Sequence, residues 1–290
     1  MIDLHVHTDC SDGTTSPTDL IRQAATLGLE ALGIADHDTL AGYDAACTEA
    51  ETAGVELVCA VELSTRSEQQ RPGIKREPSV HLLGYFLLSP PAPEFRSWLE
   101  SHQASRRQRN VRLIENLRGL GVEMTLSDAE VYGRNQVGRP HFAKVLCEKG
   151  YVSTLQEAFD LYLADDARAA AERDEPSLEE GIKRICEAGG LASLAHPVRL
   201  PQQGRELSEL VAKLIPSGLG GIEVYHSEHR PEDSSAYLDL ARQFDLVPTG
   251  GSDYHGANKP GVQLGSGIDG NIYLPYSFLE QMKEMCYAKQ

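Results

Sequence analysis

Short apolar runs alternate along the chain with stretches of helical periodicity. The runs are rich in β-branched and aliphatic residues and predict strands at Ile2–Val6, Ala31–Ala35, Val55–Val61, Val80–Leu87, Gly190–Ala195, Gly221–Tyr225 and Leu246–Gly250. Helical spacing marks Pro17–Leu27, Thr39–Ala53, Leu178–Ala188 and Pro231–Phe244 between them. The first of these helices has a start signal, with Ser16 as N-cap and Pro17 at the first helical position. Strand–helix alternation predicts a parallel sheet with helical crossovers. Seven such strands in 290 residues point to a closed or nearly closed (β/α) barrel, with an open doubly wound sheet as the alternative.

The alternation lapses over residues 93–176, where only helices are predicted: Pro93–Leu120, Ser127–Gly133, Pro140–Lys149 and Thr154–Leu163. The expected organisation is α/β, a barrel domain formed by 1–92 and 177–290 with a helical insertion at 93–176. The segment Ser64–Pro78 is polar, charged and Pro/Gly-bearing, and is expected to be a mobile loop between the third and fourth strands.

Composition narrows the class of function. At 41% hydrophobic residues the chain can bury a substantial core, so disorder is excluded. A net charge of −16 disfavours an open, charge-driven duplex DNA or membrane surface. It leaves room for an anionic substrate in a pocket, where bound cations reverse the local sign. The six cysteines form neither a C-x-x-C pair nor a disulfide framework. With no leader or membrane-length apolar run read from the sequence, a cytoplasmic location is expected.

Candidate chemistry gathers at the strand ends. His5 and His7 lie two apart on the first strand and face the same way. His37 follows the second strand, Glu62 ends the third, His81 lies in the fourth and His196 follows the fifth. Asp253 and His255 follow the last strand, and Asp12 lies in the loop after the first. In a parallel barrel the C-terminal strand ends converge on one mouth. Six histidines and three carboxylates exceed the needs of one ion, so two to three divalent ions are expected. Imidazole with carboxylate suits manganese, zinc or iron. Asp36 and Asp38 flank His37 and are expected to orient an imidazole. His226 and His229 are expected to be ordinary residues of a polar loop.

These pieces together resemble the PHP (polymerase and histidinol phosphatase) family: His5-Val6-His7-Thr8, Ser11-Asp12-Gly13, Ala35-Asp36-His37-Asp38, Glu62, His81, Ala195-His196-Pro197 and Gly251-Ser252-Asp253-Tyr254-His255. The resemblance implies a distorted seven-stranded barrel with a trinuclear site. It implies that His5, His7 and Asp253 hold one ion, His81 and His196 a second, and Asp12, His37 and His255 a third, with Glu62 bridging the first two. The expected reaction is hydrolysis of a phosphate ester by a metal-activated hydroxide attacking phosphorus in line, with no protein nucleophile.

The insertion and the motif Gly138-Arg139-Pro140-His141 resemble stand-alone members that act on nucleoside 3',5'-bisphosphates, some of which also trim short RNA from the 5' end. Histidinol phosphatase is the alternative within that class. Amidohydrolases also open with H-x-H but bridge their metals with a carboxylated lysine, and no lysine stands at a strand end in the first half here. A non-catalytic metal-binding protein is the remaining alternative. The expected partner is a small phosphorylated substrate, a nucleotide, and no partner protein is implied. Phe95, Leu99, Leu113, Leu117 and Leu120 mark one apolar stripe of the long helix, and Arg106 and Arg109 fall on it with His102 and Asn110 nearby. Such arginines need an anionic partner, either an acidic side chain or a substrate phosphate. Arg106, Arg109, Arg139 and His141 are therefore the candidate contacts to a remote 5'-phosphate.

Overall fold

In the computed structural model, which describes residues 1–67, 79–133, 137–164 and 166–288, seven strands form one sheet in chain order. They are β1 (Ile2–Val6), β2 (Ala31–Ile34), β3 (Glu56–Arg66), β4 (Ser79–Phe86), β5 (Leu191–Leu194), β6 (Gly221–His226) and β7 (Val247–Gly251). The two edges meet beyond β7: His7 N donates to Tyr254 O at 2.9 Å, and Asp253 N donates to His5 O at 2.7 Å. The sheet is thus nearly closed into a barrel.

The expected parallel sheet needs one correction. β4 runs antiparallel to both β3 and β5, while the other neighbours are parallel. A parallel β4 would require a connection running back along the 11-residue β3, usually as a helix. The intervening sequence has no helical pattern, so the chain reverses instead. Reversal brings the first residues of β4 to the mouth where the other strands end, and His81 pairs in register with Ser64. β3 also runs past Val61 to Arg66, so Glu62 lies within the strand and Ser64–Arg66 are strand rather than loop. The rest of the expected mobile loop, residues 68–78, lies outside the described residues.

Helices α1 (Pro17–Thr26) and α2 (Ala41–Ala53) follow the first two strands. Ser16 caps α1 as expected, its Oγ accepting from Asp19 N at 3.2 Å. The insertion supplies α3 (Pro93–Gly119), α4 (Leu126–Glu130), α5 (Arg139–Glu148) and α6 (Leu155–Ala158), the last running into a π-helical turn at Phe159–Leu163. Then come α7 (Leu178–Glu187), α8 (Arg205–Leu214), α9 (Pro231–Gln243) and α10 (Tyr276–Ala288).

Strand alternation sorts the core. Cys59, Val61 and Leu63 pack with Leu82 and with Ile182 and Ile185 of α7. Val58 and Ala60 pack with Leu83 and Tyr85 on the opposite face. Glu62 and His81 share the parity of that second face, so both project from it at the mouth. Helix α3 spans two cores. Phe95 and Leu99 join the barrel cluster, whereas Leu113, Ile114 and Leu117 pack with Phe142, Leu146 and Leu163 in a separate cluster of the insertion. Among the described residues, no helix is long and apolar enough to cross a membrane.

Candidate metal centre

All nine expected ligands meet at the mouth. His5 Nδ1 lies 2.8 Å from Glu223 Oε1, which can only accept, so the neutral ring keeps its proton on Nδ1 and turns a lone pair outward at Nε2. His255 is fixed the same way, donating from Nδ1 to Asp253 O at 2.8 Å and facing Asp12 Oδ1 with Nε2 at 3.3 Å. Glu62 lies at the centre. Its Oε1 is 2.7 Å from His81 Nδ1 and 2.8 Å from His196 Nε2. Its Oε2 is 3.1 Å from His7 Nε2, 3.4 Å from His5 Nε2 and 3.4 Å from His37 Nδ1.

Among the described residues, three sets of potential ligand atoms have members all within 4.8 Å of one another: His7, Asp12, His37 and His255; His5, His7, Glu62 and Asp253; and His37, Glu62 and His81. Any two sets share one residue. Glu62 can serve two ions with its two oxygens, but one imidazole nitrogen serves only one. His196 stands outside these sets and joins through Glu62 Oε1.

The electrostatics are those of a cation site. Burial alone would lower the His7 ring, but Asp253 and Glu62 outweigh it and lift it to about 9. His5 is likewise raised despite burial, by Glu223, Glu62 and Asp253. For His37 and His196 burial wins and the rings drop to about 3. Glu62 and Asp253 are buried and Asp12 is partly buried, which opposes ionisation, yet the surrounding imidazoles, with Lys259 beside Asp253, hold all three well below the usual carboxylate range. His5 Nε2, both nitrogens of His7 and His37 Nδ1 are buried without a hydrogen-bond partner. Ionised carboxylates beside orphaned imidazole nitrogens, with no sulfur in the set, fit divalent ions of intermediate hardness.

The two acids flanking His37 do other work than expected. Asp36 accepts from Thr8 N at 2.8 Å and Thr8 Oγ1 at 2.6 Å, and also from Ser11 Oγ. It therefore shapes the loop that carries Asp12. Asp38 accepts from Ser64 N at 2.8 Å, from Arg173 at 3.0 Å and from Arg106. Neither acid hydrogen-bonds an imidazole. Gly42 makes room for this arrangement, since a Cβ there would stand 1.9 Å from Asp36 Oδ2.

The insertion arginines divide. Arg106 has the acidic partner that burial demands, Asp38, and also donates to Ser64 Oγ at 2.9 Å. Arg109 is buried and makes no hydrogen bond or ion pair with the described residues; burial and the nearby Arg106, Arg139 and Arg173 all act against its charge. Arg139 begins α5 and donates to Leu163 O at 3.3 Å. His141 Nδ1 accepts from Gly138 N at 3.0 Å, and burial lowers the ring to about 4. The neutral ring therefore carries its proton on a buried Nε2 with no partner. His102 packs edge-on against Trp98, and Asn110 donates to Val137 O at 2.9 Å. Lys144 of α5 donates to Asn258, which in turn donates to Asp12 O at 2.6 Å, tying the insertion to the loop that carries Asp12.

Several site residues escaped the sequence reading. Glu223 fixes His5 and accepts from His196 N at 2.6 Å. Its signal was a lone acid inside an apolar strand, Gly-Ile-Glu-Val-Tyr. Asp3 accepts from Ser252 N and Gly265 N, both at 2.8 Å, and ties β1 to the chain after β7. His226 is not a loop residue: it ends β6, is buried, and lies with Nε2 3.2 Å from Asp253 Oδ2. His229 is held by Val224 O at 2.9 Å. Arg199 and Lys259 also reach Asp253, and nothing in their sequence spacing marks them.

Comparison with known proteins agrees with this geometry. Residues 3–190 match the PHP domain family. The chain is 31% identical over 267 residues to a 5'-3' exoribonuclease of Haemophilus influenzae, covering 92% of this chain and 94% of that protein. It is 30% identical over 267 residues to a 3',5'-nucleoside bisphosphate phosphatase of Chromobacterium violaceum, covering 91% and 90%. A crystal structure of a Bifidobacterium adolescentis protein assigned as a metal-dependent phosphoesterase superposes with a TM-score of 0.78 at 33% identity, covering 93% of each chain.

Proposed function

The chain belongs to the PHP domain family and is a phosphoric ester hydrolase, and from that premise we propose that it removes the 3'-phosphate of nucleoside 3',5'-bisphosphates and trims short 5'-phosphorylated RNA. The observation that carries this reading is the pairing of the ligand cluster with Arg109, a buried arginine that makes no hydrogen bond or ion pair among the described residues. One group suits a reacting phosphate and the other a remote one.

In this reading two to three manganese, zinc or iron ions are held by His5, His7, Asp12, His37, Glu62, His81, His196, Asp253 and His255. Bound there, they would supply Lewis acidity toward phosphoryl oxygens and lower the proton affinity of water. The two faces of Glu62 support the expected sharing, with His81 and His196 on Oε1 and His5 and His7 on Oε2. Glu223 holds His5 in the tautomer that presents Nε2.

The remote 5'-phosphate falls to Arg109 and to the His141 Nε2 proton, within the positive field of Arg106 and Arg139. Arg106 contributes charge while remaining tied to Asp38. Binding energy from that phosphate would position the reacting ester at the ligand cluster. The bisphosphate phosphatase and exoribonuclease relatives, matched over nearly the whole chain, support both substrate types. A cytoplasmic location accords with nucleotide substrates.

The test is phosphate release by manganese-loaded protein from adenosine 3',5'-bisphosphate, adenosine 3'-monophosphate, histidinol phosphate and short 5'-phosphorylated RNA. The bisphosphate should be preferred. Equal turnover of adenosine 3'-monophosphate would refute the remote-phosphate contact, and preference for histidinol phosphate would replace the substrate class.

A further inference from the structure

Asp253 presents its two oxygens to different surroundings. Oδ1 faces the ligand cluster, 3.3 Å from His7 Nε2 and 3.7 Å from His5 Nε2. Oδ2 faces the other way and is approached by Arg199 at 2.8 Å, His226 Nε2 at 3.2 Å and Lys259. Three donors crowd an oxygen with two lone pairs. Two of them are held from elsewhere. Arg199 forks onto Glu228, with Nε at 2.8 Å from Oε2 and a terminal nitrogen on Oε1. His226 Nδ1 accepts from Glu228 N at 3.1 Å, which fixes its proton on Nε2 and its ring in place. The Lys259 ammonium has no hydrogen-bond or ion-pair partner besides Asp253 among the described residues, and the side chain is 29% exposed.

The backbone under Lys259 is nevertheless anchored. It follows the short helical turn Gly256–Asn258, and Asn258 is tied to Asp12 O and to Lys144. A flexible ammonium on a fixed base stands at the edge of the ligand cluster, on the side of β7 rather than on the insertion.

We propose that Lys259 is a substrate contact: its ammonium leaves Asp253 Oδ2 to bind a non-bridging oxygen of the phosphate being hydrolysed. When Oδ1 serves as a metal ligand, part of the Asp253 charge is drawn toward the cluster and Oδ2 becomes a weaker acceptor. Arg199 and His226 then suffice to hold it, and the donor with least other restraint transfers to the incoming dianion. A lysine suits this task because its ammonium is a compact, freely rotating point charge. The inference rests on the phosphoesterase reading, and it separates two phosphate contacts, Arg109 for the remote group and Lys259 for the reacting one.

The test uses Lys259→Met, which removes the charge from a slightly shorter side chain, and Lys259→Arg, which keeps the charge on a slightly longer one, in the manganese-loaded protein. Binding of inorganic phosphate is measured by calorimetry, bound manganese by elemental analysis, and kcat/KM on both adenosine 3',5'-bisphosphate and 4-nitrophenyl phosphate. Lys259→Met should weaken phosphate binding by on the order of 10-fold, as expected for one charge-assisted hydrogen bond. It should lower kcat/KM by a similar factor on both esters while manganese content is unchanged, with Lys259→Arg falling between it and the wild type. Unchanged phosphate binding in an active Lys259→Met protein would overturn this inference alone. Loss of manganese in that variant would make Lys259 a structural partner of Asp253 and overturn it as well. Wild-type protein that binds phosphate through Lys259 yet hydrolyses no ester would refute the proposed function instead, and wild-type protein that binds no phosphate would refute both.

Discussion

Glu62 carries more of the site than any other side chain, because each of its oxygens lies against a different group of imidazoles. Glu62→Gln replaces one carboxylate oxygen with an amide nitrogen, a donor where the proposed bridging role needs a ligand. At least one ion should be lost on elemental analysis, and turnover should fall by about 100-fold or more. Full metal content with intact turnover would refute the bridging role. Glu223 acts one step back, through the His5 tautomer. Glu223→Gln should weaken metal affinity by about 10–100-fold, in the range seen for partners of ligating histidines, and should leave far-ultraviolet circular dichroism unchanged. Gly42 acts further back still. A Cβ there meets the Asp36 carboxylate at 1.9 Å, and Asp36 shapes the Asp12 loop. Gly42→Ala should cost about 1–3 kcal/mol of stability in denaturant unfolding, as overpacking does, together with a loss of metal affinity.

At the scale of elements, α3 joins the two halves of the molecule. Its first turns pack in the barrel core, its last turns in the core of the insertion, and Arg106 and Arg109 lie between. Arg106 and Arg109 are three positions apart on one face, yet of the two only Arg106 has an acidic partner among the described residues. Arg106→Ala removes a donor from the buried Asp38, whose remaining cation is Arg173. It should lower stability by about 1.5–3 kcal/mol, the worth of a hydrogen bond to a charged group. Arg109→Ala removes a buried charge that has no ion-pair partner among the described residues and should not destabilise. Instead it should cut kcat/KM for adenosine 3',5'-bisphosphate by on the order of 10–100-fold, matching a contact of roughly 1.5–3 kcal/mol, and barely change hydrolysis of 4-nitrophenyl phosphate. Equal losses on both esters, with a lower melting temperature, would make Arg109 structural.

For the molecule as a whole, the ligand cluster also closes the barrel. Asp253 N donates to His5 O, and Asp3 of β1 accepts from Ser252 N, so candidate ligands and their chain neighbours also join the first strand to the last. A group that binds only the folded state stabilises it by mass action. Chelation should therefore abolish phosphate release and lower the melting temperature, and added manganese should restore both. Activity that survives exhaustive chelation with an unchanged melting temperature would refute the metal-dependent reading.

The sequence by itself determined the strand–helix alternation, the helical insertion and the nine candidate ligands, because each is a local pattern: apolar periodicity, or a polar ligand-type residue where an apolar run ends. It also placed Arg106 and Arg109 on the apolar stripe of α3, since helical spacing fixes which residues share a face. Strand direction was decided only in three dimensions. Hydrophobic alternation reads the same along a parallel or an antiparallel strand, so the reversal of β4, which delivers His81 to the mouth, shows in the sequence only as the missing helical pattern between the third and fourth strands. The partners of the site were decided there too. Glu223 meets His5 across 218 residues, Arg173 meets Asp38 across 135, and Lys259 and Arg199 converge on Asp253 from separate loops. Which buried charge finds its counter-charge depends on contacts between distant segments, and those exist only once the barrel has closed and the insertion has packed against it.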